Sequence, residues 1–139
     1  MKNGLTRLLC VSFLLLLVAC NTDRCNTPFG EGGTINLTDP QFSNVYNHVG
    51  GTVMVSMGHK GVLIRCAGFG EYTAFECTCP HDHDVRMTPD SRNEAMILTC
   101  SACGSRFELI NGAPLEGSVT SCLLYQYSVA VNGSLLTVY

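Results

Sequence analysis

Between Cys77 and Phe107 the chain reads CTCPHDHDVRMTPDSRNEAMILTCSACGSRF, which puts four cysteines and two histidines into 31 residues. Thiolate sulfur and imidazole nitrogen suit zinc, copper or iron–sulfur centres and do not suit calcium or magnesium. Cys79-Pro80-His81 forms one turn, Cys100-Ser101-Ala102-Cys103 a second, and Gly104-Ser105 releases the chain beyond it. Eighteen residues separate His81 from Cys100. Two tight loops, each offering a ligand pair set by local turn geometry, need a single long-range docking to build a four-ligand centre. A Cys100–Cys103 disulfide is the competing use of the second pair.

The segments that must position these loops carry a two-residue alternation. Thr52–Met57, TVMVSM, puts Val53, Val55 and Met57 on one face. The turn Gly58-His59-Lys60-Gly61 leads into Val62–Cys66, VLIRC, which pairs back, and Gly68-Phe69-Gly70 turns the chain again. In EYTAFECT, Tyr72 and Ala74 then face opposite to Phe75 and Cys77. Ala95–Cys100 is an apolar strand, and Arg106–Ile110 is closed by Asn111-Gly112, a hairpin signal. A second hairpin is expected at Asn132-Gly133, between QYSVAV and SLLTVY. Thr34–Leu37 is a short strand, and Phe42–His48 a helical turn around Val45 and Tyr46. No segment sustains a 3.6-residue period, so the fold class is all-β, with many short strands and tight turns.

Here the chain resembles the Rieske [2Fe–2S] domain. Cys-x-His, then Cys-x-x-ligand-Gly-Ser-x-Phe, is similar to the two ligand motifs of that family, and Gly104-Ser105-Arg106-Phe107 matches the run after its second pair. Leu109–Gly117, LINGAPLEG, and the stretch from Leu124-Tyr125 through Asn132-Gly133 to Val138 resemble its closing segments. The resemblance implies antiparallel sheets with a small cluster-binding subdomain formed by two loops, over roughly Thr34 to Tyr139. It implies a [2Fe–2S] cluster on Cys79, His81, Cys100 and Cys103, and a one-electron carrier rather than an enzyme. Cys103 stands where the family has its second histidine, and His83 where it often has glycine. Relative to two imidazoles, one added thiolate favours oxidised iron. The expected potential lies between the Rieske range, about −150 to +300 mV, and the plant-type value of about −400 mV.

The same loops could hold a structural zinc on three sulfurs and one imidazole, or no metal at all, and the chain would then be an interaction module without a redox role. A thiol–disulfide exchanger built on Cys100 and Cys103 is a third reading, weakened because a strand rather than a helix follows the pair. His83, beside Asp82 and Asp84, reads as a solvated residue. Cys77 reads as core, or as a disulfide partner of Cys66, and Cys25 and Cys122 could be linked to each other or to another chain. Asp82, Asp84, Asp90 and Glu94 make the loop region acidic, either as a solvated face or as a docking face for a basic redox protein.

Lys2 and Arg7 precede an apolar run, Leu8–Val18, too short to span a bilayer as a helix, which needs about 20 residues. Leu17-Val18-Ala19-Cys20 resembles a bacterial lipobox, which implies a signal peptide over 1–19 and a lipid on Cys20. A flexible tether at 20–33 and a single domain at 34–139 are then expected. That arrangement places the chain in the cell envelope, held to a membrane by lipid, with an unidentified envelope redox protein as its partner. Without Lys2 and Arg7, six Lys and Arg face eleven Asp and Glu, a net charge of −5. No basic stripe is left to bind nucleic acid. Seven cysteines beyond Cys20 cannot form a closed disulfide framework, so at least one has another task.

Overall fold

The computed structural model describes residues 25–90 and 94–139. The signal peptide expected at 1–19 and the lipid expected on Cys20 lie outside the described residues. Among the described residues, three antiparallel sheets carry the fold. The central one aligns β2 (Thr52–Val55), β3 (Val62–Gly68), β4 (Glu71–Glu76) and β8 (Gln126–Tyr127) in the order β2-β3-β4-β8. A second has the order β1-β10-β9, from β1 (Gly33–Asn36), β9 (Val129–Asn132) and β10 (Leu135–Val138). The third, β5-β6-β7, is made of β5 (Thr88–Asp90), β6 (Glu94–Thr99) and β7 (Arg106–Glu108).

Val62, Leu63 and Ile64 are apolar in succession because the central sheet is covered on both faces. Val62, Ile64, Cys66 and Ala74 belong to one buried cluster, with Ile35, Leu136 and Val138 of the β1-β10-β9 sheet. Leu63, Phe75 and Cys77 point the other way, into a second cluster with Leu98 and Phe107 of the third sheet. The period-two alternation of a strand thus sorts one segment into two cores. It also keeps Cys66 and Cys77 on opposite sides of the sheet, and both are free thiols. The disulfide considered for that pair is therefore absent.

The antiparallel β architecture expected from the sequence is present, and the helical turn expected around Val45 and Tyr46 is a short helix. Pro40–Phe42 is a 3-10 turn, entered by a proline that has no amide hydrogen to lose, and it leads into α1 (Ser43–Asn47). Phe42 and Val45 bury against the first cluster. The Asn132-Gly133 hairpin forms as β9 and β10. The Asn111-Gly112 turn forms too, but its return arm pairs only as a single bridge, Phe107 to Pro114. The Glu108 carboxylate draws that turn tight by accepting from the amides of Ile110, Asn111 and Ala113.

Residues 25–32, part of the expected tether, run along the domain. Cys25 is disulfide-bonded to Cys122, 97 residues away. Phe29 stacks on Tyr125 with ring centroids 4.0 Å apart, and the Gly30 amide donates to the Tyr127 hydroxyl at 3.2 Å. Behind Tyr127 sits Glu76, fully buried. Its carboxylate accepts from Tyr127 OH at 2.7 Å, His59 N at 2.8 Å, Lys60 N at 2.9 Å and Thr78 Oγ1 at 2.9 Å. A buried carboxylate is tolerated when its lone pairs are filled in this way. The network fastens the 58–61 turn to the end of β4, where the chain enters the first ligand loop.

Candidate metal centre

Beyond β4 the chain folds over itself through a bridge between Thr78 and Arg86. Cys79 N donates to Val85 O at 3.1 Å and Val85 N to Asp82 O at 2.9 Å, so residues 79–85 close as a tight loop. Inside it, Asp82 N points at Cys79 Sγ from 3.4 Å. The second loop leaves β6 at Cys100. Gly104 N donates to Cys100 O, and Cys100 N to Ser105 O, each at 2.9 Å. Gly104 makes the reversal with φ of 72°, a left-handed conformation that other residues adopt only with strain.

The two loops meet. Cys79 Sγ, Cys100 Sγ, Cys103 Sγ and a carboxylate oxygen of Asp82 all lie within 4.8 Å of one another. Cys79 Sγ is 3.7 Å from Cys103 Sγ, and Cys100 Sγ is 3.8 Å from Asp82 Oδ2. A zinc–sulfur bond of about 2.3 Å implies sulfur–sulfur edges of about 3.8 Å in a tetrahedron. Three sulfurs and one oxygen at these separations fit one tetrahedral ion. Cys79 and Cys100 are buried, while Cys103 is partly open to solvent, and all three are free thiols. The Cys100–Cys103 disulfide considered above is absent, and with it the oxidised state of the thiol–disulfide exchanger.

Burial pushes the Cys79 thiol up to about 12, against the lowering effect of the Asp82 and His81 amides. Cation binding at this thiol therefore releases a proton. The Asp82 carboxyl is held below its usual range by hydrogen bonds from the Cys103 thiol and from His81. It is available as an anionic ligand throughout the neutral range.

His81 does not join the group. Its side chain is 50% exposed, and Nδ1 faces Asp82 Oδ1 at 3.3 Å. The exposed His83 ring meets the Pro80 carbonyl at 3.1 Å. Of the four expected ligands, Cys79, Cys100 and Cys103 come together, and Asp82 stands where His81 was expected. This corrects the cofactor and the function drawn from the Rieske resemblance. A Rieske centre has two imidazoles on one of its two irons, and here neither histidine reaches the sulfurs. A two-iron cluster also needs its four ligands as two pairs separated by the irons and bridging sulfides, whereas these four atoms converge on one point. The [2Fe–2S] cluster and the one-electron carrier built on it are withdrawn.

Asp82 was legible only as part of an acidic loop. The signal that finds it is spacing. Cys79-x2-Asp82, seventeen residues, then Cys100-x2-Cys103 follows the Cys-x2-Cys…Cys-x2-Cys pattern of structural zinc sites, with aspartate as the second ligand.

No family model matches the chain. No curated protein matches it either. Among solved structures the chain is similar to the ferredoxin of carbazole 1,9a-dioxygenase from Nocardioides aromaticivorans IC177. That match has a TM-score of 0.43 and 18% identity, over 81% of this chain and 97% of that one. It is also similar to a chain in a complex of reduced oxygenase and oxidized ferredoxin in carbazole 1,9a-dioxygenase. There the TM-score is 0.45 and the identity 22%, over 64% of this chain and 80% of that one. Both likenesses are distant ones, of β-rich fold alone. They do not extend to the substitution of cysteine for the second ligand histidine. The expected envelope location is not carried forward. Among the described residues no helix is long and apolar enough to cross a membrane. No lipid anchor and no envelope redox partner are carried forward.

Proposed function

We propose that this chain is a non-redox binding module whose two loops are locked by one structural zinc ion, held by Cys79, Asp82, Cys100 and Cys103. The observation that supports it is the convergence of three thiol sulfurs and a carboxylate oxygen within 4.8 Å of one another. That donor set is closed and four-coordinate, leaving no position for substrate, as in structural rather than catalytic zinc sites. Thiolates select zinc over magnesium or calcium. The metal ties the 79–85 loop to the 100–104 loop and contributes folding free energy there.

The exposed tips, Ser101 and Ala102 on one loop and His81 and His83 on the other, form the surface that this lock makes rigid. A protein partner docking on that surface is proposed as a class only.

Metal analysis of the purified chain tests the reading. One zinc per chain is expected. Replacement by cobalt should give the thiolate charge-transfer and d–d bands of a tetrahedral site. A brown chain carrying two irons, or a chain that takes up neither zinc nor cobalt while its thiols are reduced, contradicts it.

A further inference from the structure

We propose that Cys103 is a site of peroxide oxidation, that Cys79 resolves it, and that the disulfide so formed expels the metal. This rests on the metal reading above. Cys103 is partly exposed whereas Cys79 and Cys100 are buried, so a small hydrophilic oxidant meets Cys103 first. Its Sγ stands 3.7 Å from Cys79 Sγ, in contact but unbonded, and 3.2 Å from Ser105 Oγ. Cys66 lies in the other core, across the central sheet, and does not compete.

The chemistry balances with hydrogen peroxide as oxidant. The Cys103 thiolate attacks one peroxide oxygen; the O–O bond breaks, hydroxide leaves and Cys103 becomes a sulfenic acid. The Cys79 thiolate then attacks the Cys103 sulfur, forming the S–S bond and expelling a second hydroxide. Two electrons pass from the sulfur pair to peroxide, and two protons from solvent turn the hydroxides into water. The metal has lost two of its four ligands. Cys100 and Asp82 alone do not make a closed four-coordinate site. The new bond spans the same two loops that the metal held, so they stay joined when it leaves.

The test uses the full zinc-loaded chain with the Cys25–Cys122 bond intact. Equimolar hydrogen peroxide is added, zinc release is followed with a chromogenic chelator, and non-reduced tryptic peptides are mapped. The expected result is release of the single zinc together with a cross-link between the peptides holding Cys79 and Cys103, placed by fragment spectra. Cys66→Ser, which leaves all four ligands in place, should release its zinc at the same dose and form the same cross-link. Zinc retained by the parent chain, or a Cys100–Cys103 bond in place of the cross-loop one, overturns the proposal and leaves the metal reading standing. A chain that carries no zinc before peroxide is added overturns the metal reading and this proposal with it.

Discussion

Asp82 occupies the ligand position that separates one metal ion from a two-iron cluster, and its removal is therefore the most informative single change. Orienting groups around a metal typically matter by roughly 10–100-fold in affinity, and a direct ligand should matter at least as much. Asp82→Ala is expected to weaken zinc binding at least about tenfold in a competition titration. Asp82→Cys should restore it, and His81→Ala should leave it unchanged. Loss of metal in His81→Ala alone would return the imidazole to the site. The turn at Cys79-Pro80-His81 was legible, and the Rieske resemblance implied His81 as its second ligand. A tight turn brings residues three apart together, and Asp82 N lies 3.4 Å from Cys79 Sγ.

Glu76 supports a separate prediction at the same scale. Burial pushes its carboxyl up, but hydrogen bonds from Tyr127, the His59 and Lys60 amides and Thr78 outweigh that and leave it below the ordinary range. A depressed folded pKa means that the contribution to stability is present above the unfolded carboxyl's titration. It is lost as pH falls through the lower, folded value. Acid unfolding of the parent chain should show this loss. Glu76→Gln should flatten that limb and cost about 1–3 kcal/mol near neutrality, because buried donors lose a charged acceptor. An unchanged acid limb would show that Glu76 is not what titrates.

At the scale of elements, the second ligand loop depends on Gly104. Nothing lies within 4 Å of a Cβ built there, so Gly104→Ala tests backbone strain alone. The left-handed conformation should cost about 1–2 kcal/mol, read as a lower denaturation midpoint and weaker zinc uptake together. Lower stability with unchanged uptake would separate the turn from the site. Turns of this kind are where the sequence was most readable. Glycine at Gly70 and Gly133 marks reversals that the structure places between β3 and β4 and between β9 and β10. The assignment of strands to sheets was not readable. QYSVAV looks like one strand, yet β8 pairs with β4 and β9 with β10, with Ser128 between them. Alternation alone cannot say which partner takes each half.

For the whole molecule, one covalent bond and one metal site act on different parts of the chain. The Cys25–Cys122 bond closes a separation of 97 residues. Its removal by Cys25→Ser should cost about 2–4 kcal/mol, measured by denaturant unfolding, with zinc content unaltered. Chelation should do the reverse, loosening the two loops while residues 25–32 keep their hydrogen-exchange protection. A Cys25–Cys122 link was one of two options the sequence left open, beside a link to another chain, because connectivity follows from the fold and not from spacing. Likewise, an all-β fold of short strands and tight turns was legible from hairpins and alternation. The identity of the bound species depends on which atoms converge, and the family resemblance does not determine that.

X-ray absorption at the zinc edge of the loaded chain tests the central claim most directly. Three sulfurs at about 2.3 Å and one oxygen at about 2.0 Å are predicted, with no imidazole scattering. A histidine nitrogen in the first coordination sphere, or a second metal as a neighbour, would contradict the account.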